Sequence, residues 1–280
     1  MSIAASRFFS LPPEQITPAL EVAFFSSLKT GNDTFKKTDV RRFEEIDGLV
    51  AAELGKAFPG ETLELLDVGI SSGTTTMELA EALEQAGADF RITATDRSFA
   101  ASILDGPLGS RALVEDSGHI LQFEILGRPL RAWDRRLDRF TGRSILNAAL
   151  RKVIGKSAKV QAGNRPVELV SPRLRDQPSV TIAEDDIFTR TPAFERKFHF
   201  VRAANILNLD YFENDRISTG LGHLRAYLRG PGALLLLVRT DKVTGRNNGT
   251  LFRLDEDYGF EIVRRFGDGS EVEDLVLSVA

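Results

Sequence analysis

The sequence contains no cysteine, which excludes disulfides, thiolate nucleophiles and Cys-based zinc or iron–sulfur sites. Histidine is nearly as scarce, with only His119, His199 and His223. None stands in an H-E-x-x-H arrangement and no two are close in sequence, so no metal site is expected. No lysine occurs between Lys56 and Lys152, which removes the usual phosphate loop of ATP- and GTP-binding proteins from the region where it would have to sit. Long apolar runs are missing too. The longest is Ala233 to Val238, far too short to span a bilayer. The opening MSIAASRFFSLPPEQ lacks a basic segment, an apolar stretch and a small-residue cleavage site, so a cytoplasmic protein without a transmembrane segment is expected.

What is present is ordinary globular composition over 280 residues, with 42% apolar and 27% charged residues. That is enough chain to bury a core unaided. Val22, Phe24, Phe25 and Leu28 follow Pro12-Pro13 with helical character. A second helix is expected from a cap at Thr38 to about Phe58, with Val40, Phe43, Ile46, Val50 and Leu54 on one face. Residues 1–60 therefore form an N-terminal helical element. From Leu63 the rhythm changes to strands alternating with helices. Strands are expected at Leu63–Val68, Arg91–Thr95, Val180–Ala183, Phe198–Val201 and Ala233–Val238, with helices at Thr74–Gln85 and around Ile217 to Leu228. Phe260–Phe266 and Asp274–Val279 around Gly267-Asp268-Gly269 suggest a terminal hairpin. The pattern predicts an α/β fold over 61–280, its sheet mostly parallel with a C-terminal antiparallel hairpin.

One segment stands outside the alternation and reads as an insertion over about 109–178. Gly118–Leu130 suggests a hairpin, and Trp133 to about Lys159 a basic helix carrying Leu146, Ala149, Leu150, Val153 and Ile154. Arg128 to Lys159 holds ten Arg/Lys against two Asp, a net of +8, so with −4 for the whole chain the remainder carries −12. Such a helix can cover a pocket as a packed lid, or meet an anionic membrane surface or an acidic partner. Nucleic acid is disfavoured, because no aromatic residues interleave the basic ones.

The stretch that carries chemistry is Asp67-Val-Gly69-Ile-Ser71-Ser-Gly73-Thr74, where a strand enters a glycine turn and a helix leaves it. Such a turn brings backbone near a ligand and offers free N–H groups at the helix start. A dinucleotide fingerprint would want glycine where Ser71 stands. The same letters spell the G-x-S-x-G elbow of α/β-hydrolases, with Ser71 as nucleophile. Against it, the elbow follows the first strand of the sheet, and no late histidine suits a triad.

The turn Val68 to Thr75 (V-G-I-S-S-G-T-T) resembles the A-G-x-S-x-G-E-E turn of chemotaxis-receptor glutamate methyltransferases, within the class I S-adenosylmethionine-dependent methyltransferase superfamily. Ile92-Thr93-Ala94-Thr95-Asp96 is similar to that family's I-x-A-T-D. Phe200-Val-Arg-Ala-Ala-Asn205, with Tyr211-Phe212 beyond, is similar to its F-x-C-R-N-V-L-I-Y-F. The resemblance covers about 65–96 and 180–240. The chain departs from the pattern at Thr74-Thr75, at Ala204 where the family has Arg, and by an extra residue before Tyr211.

The resemblance implies a Rossmann-like methyltransferase sheet and S-adenosylmethionine as cofactor, with an acceptor it does not name. It implies that Gly69, Ser71 and Gly73 form the cofactor turn and that Asp96 accepts the ribose hydroxyls; capping a helix after Ser98 is the alternative for Asp96. Asp67 would orient the turn or meet the methionine amino group. Asp186 would accept from the adenine amino group, with Ile187 or Phe188 against the ring. Asn205 would face the methionine end. No general base is identifiable, so catalytic residues are unassigned. Two further functions stay open: a hydrolase using Ser71, and a non-catalytic cofactor-binding or interaction protein on the same fold.

Overall fold

The computed structural model describes all residues except 1–2, 31–40, 136, 137, 139, 141, 158–163, 242 and 279–280. Among the described residues the strands are β1 Leu63–Val68, β2 Phe90–Asp96, β3 Ala100–Asp105, β4 Ser110–Glu115, β5 Ile120–Ile125, β6 Arg128–Arg131, β7 Arg165–Glu168, β8 Val180–Glu184, β9 Phe200–Ala204, β10 Leu234–Thr240, β11 Asn247–Leu254 and β12 Phe260–Phe266. The α-helices are α1 Ala5–Phe8, α2 Pro18–Phe25, α3 Glu44–Ala57, α4 Thr74–Gln85, α5 Arg143–Ser157, α6 Pro172–Arg175, α7 Asn214–Tyr227 and α8 Glu273–Ser278. They fall into two compact units, one of residues 1–40 with 99–176, the other of residues 41–98 with 177–280.

The second unit is built on a seven-stranded sheet in the order β12-β11-β10-β9-β1-β2-β8. Strands β8, β2, β1, β9 and β10 run parallel, and β11 and β12 add an antiparallel edge. This is the expected α/β architecture. The central strands are apolar on both faces, as parallel strands covered by helices must be; Leu234 to Val238 are all buried. One face packs Leu66, Val201, Ala203 and Leu235 against Ile217, Leu221 and Leu224 of α7. Because β1 has β2 on one side and β9 on the other, the chain changes direction across the sheet between β1 and β9. Ligands of open α/β sheets bind at the C-terminal edge beside such a point.

The first unit carries a five-stranded antiparallel sheet, β6-β5-β4-β3-β7. Its N-terminal segment is tied to β5, where Ala5 donates its N–H to Gln122 Oε1 at 2.8 Å and Gln122 Nε2 donates to the Ile3 carbonyl at 3.1 Å. Phe8 and Phe24 stack at 4.0 Å within the same core. The basic helix begins at Arg143, later than Trp133 where it was expected. It buries Leu150 against Leu104, Ala112 and Phe123 and leaves Ile145 exposed. Among the described residues no helix is long and apolar enough to cross a membrane.

Three local expectations are corrected. Residues 273–278 form α8, not a strand; Glu273 and Asp274 in its first turn suit a helix start, and Val276 is its buried contact. The antiparallel edge is instead the pair β11–β12 turning at 255–259. After Asp96 the chain enters β3, so no helix is capped there. Thr38 and Val40, and the side chains of Val153, Ile154 and Lys156, lie outside the described residues.

Candidate functional site

The glycine turn follows β1 at the C-terminal edge of the parallel strands. Gly69 and Ile70 both donate their N–H to the Thr95 carbonyl, at 2.8 and 3.1 Å, which carries the turn over the end of β2. Gly73 adopts φ +80°, a left-handed conformation that suits glycine, and releases the chain into α4. Ser71 sits at φ +58°, unusual for a serine. Its N–H donates to Asp96 Oδ2 at 2.7 Å, while Asp96 Oδ1 accepts the Arg97 N–H at 2.8 Å. Turn and acid are thus one construction. Asp96 is only half-buried, so both oxygens keep acceptor capacity toward solvent.

The neighbouring strands end at the same edge. Asp185 donates its N–H to the Asp96 carbonyl at 2.9 Å, which places the loop after β8 beside the acid. Asp186 Oδ1 accepts the Phe188 N–H at 3.0 Å, and Oδ2 has no partner among the described residues. On the other side of β1, Asn205 ends β9 at φ +62°. Its Oδ1 accepts the Thr240 N–H at 2.8 Å, which fixes the amide's orientation. Its Nδ2 is buried and has no hydrogen-bond partner. An orphaned donor at this point calls for an acceptor.

Two sequence-predicted residues are turned to other tasks, and Asp67 is engaged with the turn, the first of its two expected roles. Asp67 is buried, and both of its oxygens accept hydrogen bonds from within the protein. Oδ1 accepts from Arg202 Nε at 2.9 Å; Oδ2 accepts from Arg202 Nη2 at 2.6 Å and from Thr76 Oγ1 at 2.7 Å. Ile187 belongs to the core beside Leu207 and α7, so it is withdrawn from any ring stacking at the edge. Phe188 stays half-exposed, 4.9 Å from Phe212, with the Arg216 guanidinium 4.3 Å from its ring. Gly69, at φ +73°, faces Ile206, and a Cβ there would lie 2.3 Å from Ile206 Cγ2. Its lack of a side chain therefore serves packing against the loop after β9.

Sequence reasoning missed Arg202 and Asp47. Arg202 is fully buried and bridges Asp67 to Asp47 of α3, its Nη1 3.0 Å from Asp47 Oδ1, and Nη2 also donates to the Thr75 carbonyl at 2.9 Å. Burial pushes the Asp47 carboxyl up to about 6 despite the guanidinium beside it, and Asp67 adds to the rise. The two carboxylates in turn hold the Arg202 guanidinium firmly charged. The signal was an arginine inside an otherwise apolar strand, since a buried charge demands a partner.

No histidine supports a hydrolase. His199 lies at the opposite end of β9, accepting the Glu64 N–H on Nδ1 at 2.9 Å, and burial lowers its pKa. His223 Nδ1 pairs with the Ile187 carbonyl and His119 Nε2 with the Lys29 carbonyl. None bonds Ser71, so the elbow has no base. Among the described residues no group of three or more His, Asp or Glu could hold a metal ion.

No protein-family model matches the chain, and no curated protein matches it. Solved structures do. A methyltransferase domain of the citrinin polyketide synthase is 19% identical over 64% of this chain and 29% of its own, with a TM-score of 0.32. An S-adenosylmethionine-bound amino pentose methyltransferase from Micromonospora echinaspora is 13% identical over 84% of this chain and 80% of its own, with a TM-score of 0.36. A phosphoethanolamine N-methyltransferase from Haemonchus contortus is 14% identical over 69% of this chain and 28% of its own, with a TM-score of 0.30. The chain spans only 29–37% of the length of the first three structures it resembles, all carbon-methyltransferases.

Proposed function

We propose that the chain binds S-adenosylmethionine at the edge between β1 and β9 and passes its methyl group to an acceptor. The observation that carries this is the Ser71 N–H to Asp96 Oδ2 bond, which fuses a glycine turn at a helix start to an acid at the end of the next strand. The residues suit the cofactor's chemistry. Asp96 supplies acceptor oxygens for a ribose diol, Asp186 Oδ2 an acceptor for the adenine amino group, and Asn205 Nδ2 a buried donor for a carboxylate or a polar acceptor group. The cofactor supplies a methyl group already activated on a sulfonium. The protein's part is then alignment, which by itself can contribute a large share of the rate. Ser71 and Gly73 hold the turn, and Asn205 is fixed by Thr240 at the end where acceptor and methionine meet. Receptor glutamate methylation is not part of the proposal, since Ala204 stands where that family has Arg.

Calorimetric titration with S-adenosylmethionine and with its demethylated product tests this. Both are expected to bind one site, with affinity that Asp96→Ala reduces. A folded protein that binds neither would overturn the assignment, and labelling of Ser71 by a phosphonate probe would revive the hydrolase.

A further inference from the structure

Beyond the cofactor edge, the second unit contains an open cavity of about 800 Å³ lined by Arg41, Arg42, Arg246, Arg264 and Arg265 together with Glu44 and Glu45. Five guanidiniums face two carboxylates. Arg265 is held by Glu273, with Nη2 2.6 Å from Oε1, and Arg41 lies 3.9 Å from Glu44. Arg246 and Arg264 have no carboxylate within ion-pairing distance among the described residues, Glu53 interacting with Arg264 only from farther off, and both are exposed. Arg264 lies over the Phe266 ring at 5.9 Å, a contact that limits its swing without neutralising it. Guanidiniums left unpaired on a wall offer forked donors to an anion.

The cavity is joined to the cofactor edge by hydrogen bonds. Asn205 Oδ1 accepts from the Thr240 N–H at 2.8 Å, Thr240 Oγ1 donates to Asn247 Oδ1 at 2.8 Å, and Asn247 Nδ2 donates to the Arg42 carbonyl. Register agrees: Ala204 pairs with Val238, Val238 with Gly249, and Gly249 with Phe266, so the cavity wall lies level with the end of β9. Asn247 on β11 is two strand spacings from β9, about 10 Å. A small molecule can span that distance.

We infer that this cavity holds the methyl acceptor by a phosphate group, the acceptor being a phosphorylated small molecule whose other end reaches Asn205. This rests on the proposed methyl transfer. A dianionic phosphate matches two unpaired guanidiniums better than a single carboxylate does, and Ile46 with Phe266 gives the rest of the molecule an apolar wall.

The test uses the full chain in low-salt buffer, titrated separately with inorganic pyrophosphate, acetate, a short single-stranded RNA and S-adenosylmethionine. Pyrophosphate is expected to bind and acetate not to, and the double variant Arg246→Ala, Arg264→Ala is expected to weaken pyrophosphate about tenfold or more while leaving S-adenosylmethionine affinity unchanged. Methyl-labelled S-adenosylmethionine incubated with a metabolite extract should label a product that disappears when the extract is first treated with phosphatase. Normal S-adenosylmethionine binding with no arginine-dependent pyrophosphate binding overturns this inference and leaves the proposed function standing. Pyrophosphate binding without S-adenosylmethionine binding overturns the proposed function and with it the acceptor role. RNA bound far more tightly than pyrophosphate through the same arginines replaces the small molecule with nucleic acid, and labelling that survives phosphatase removes the phosphate.

Discussion

Arg202 grips Asp67 with two prongs beneath the glycine turn, Nε to Oδ1 at 2.9 Å and Nη2 to Oδ2 at 2.6 Å. Its third nitrogen serves Asp47, so one guanidinium offsets two buried carboxylates. Removing it would leave both acids desolvated and facing each other. Arg202→Met is expected to cost about 3–5 kcal/mol in denaturant unfolding, the scale for breaking a buried pair. The triple variant Arg202→Met, Asp47→Leu, Asp67→Leu should regain part of that loss, because no orphaned charge remains. A single variant as stable as the parent would show that the guanidinium does not balance the acids.

Asp47 also predicts a pH dependence. Its folded value is raised from 3.8 to about 6, chiefly by burial. Between those values the folded state holds a proton that the unfolded state has released. This group's contribution to stability is therefore complete below about pH 4 and is lost as pH rises through 6. Asp47→Asn keeps an acceptor for Arg202 and cannot titrate. Raising pH from 4 to 7 should shift the stability difference in the variant's favour by up to about 3 kcal/mol. A difference that does not change with pH would mean that Asp47 titrates at its ordinary value.

How much of this was legible in the sequence depended on how local the signal was. The bounds of β1 and α4 could be read directly, because an apolar run, a glycine turn and a helical apolar stripe follow one another without ambiguity. β11 escaped notice: Asn247, Asn248 and Gly249 are poor strand formers, and only pairing with β10 makes them one. In α8 the short apolar run Leu275-Val276-Leu277 imitated a strand, yet Val276 is buried while Leu277 is exposed. Motifs at strand ends placed Asp96, Asp186 and Asn205 at the edge of the sheet, and all three lie there. Asp67 and Ile187 were placed at that edge too, but which way a strand-end side chain points is decided by partners far away in sequence, here Arg202 and α7.

Asp96 anchors the turn and is proposed to accept the ribose hydroxyls, and its variants should separate the two. Asp96→Ala removes both the anchor of the Ser71 N–H and the proposed ribose acceptor. S-adenosylmethionine binding should weaken by about 1.5–3 kcal/mol, the scale of lost charge-assisted hydrogen bonds. Asp96→Asn keeps one acceptor for the turn and should fall between Ala and the parent. Calorimetry gives the affinities, and circular dichroism confirms that each variant folds. Equal affinity in all three proteins would remove Asp96 from the cofactor site.

Gly69 faces Ile206 with no room for a side chain. A methyl group at Gly69 would sit 2.3 Å from Ile206 Cγ2, and the backbone there is at φ +73°. Gly69→Ala therefore meets two penalties: a left-handed conformation that disfavours a side chain, and overpacking. Together they are worth about 2–4 kcal/mol. Ile206→Ala in the same chain removes Cγ2 and relieves the overpacking, but it leaves the backbone strain. The double variant should thus recover part of the stability lost by Gly69→Ala, measured by chemical denaturation. If Gly69 is there for packing, S-adenosylmethionine affinity should return along with stability, because the turn regains its place beside Thr95 and Asp96. If stability returns and affinity does not, the glycine instead admits the ligand directly, and Ile206 must move aside when the cofactor binds.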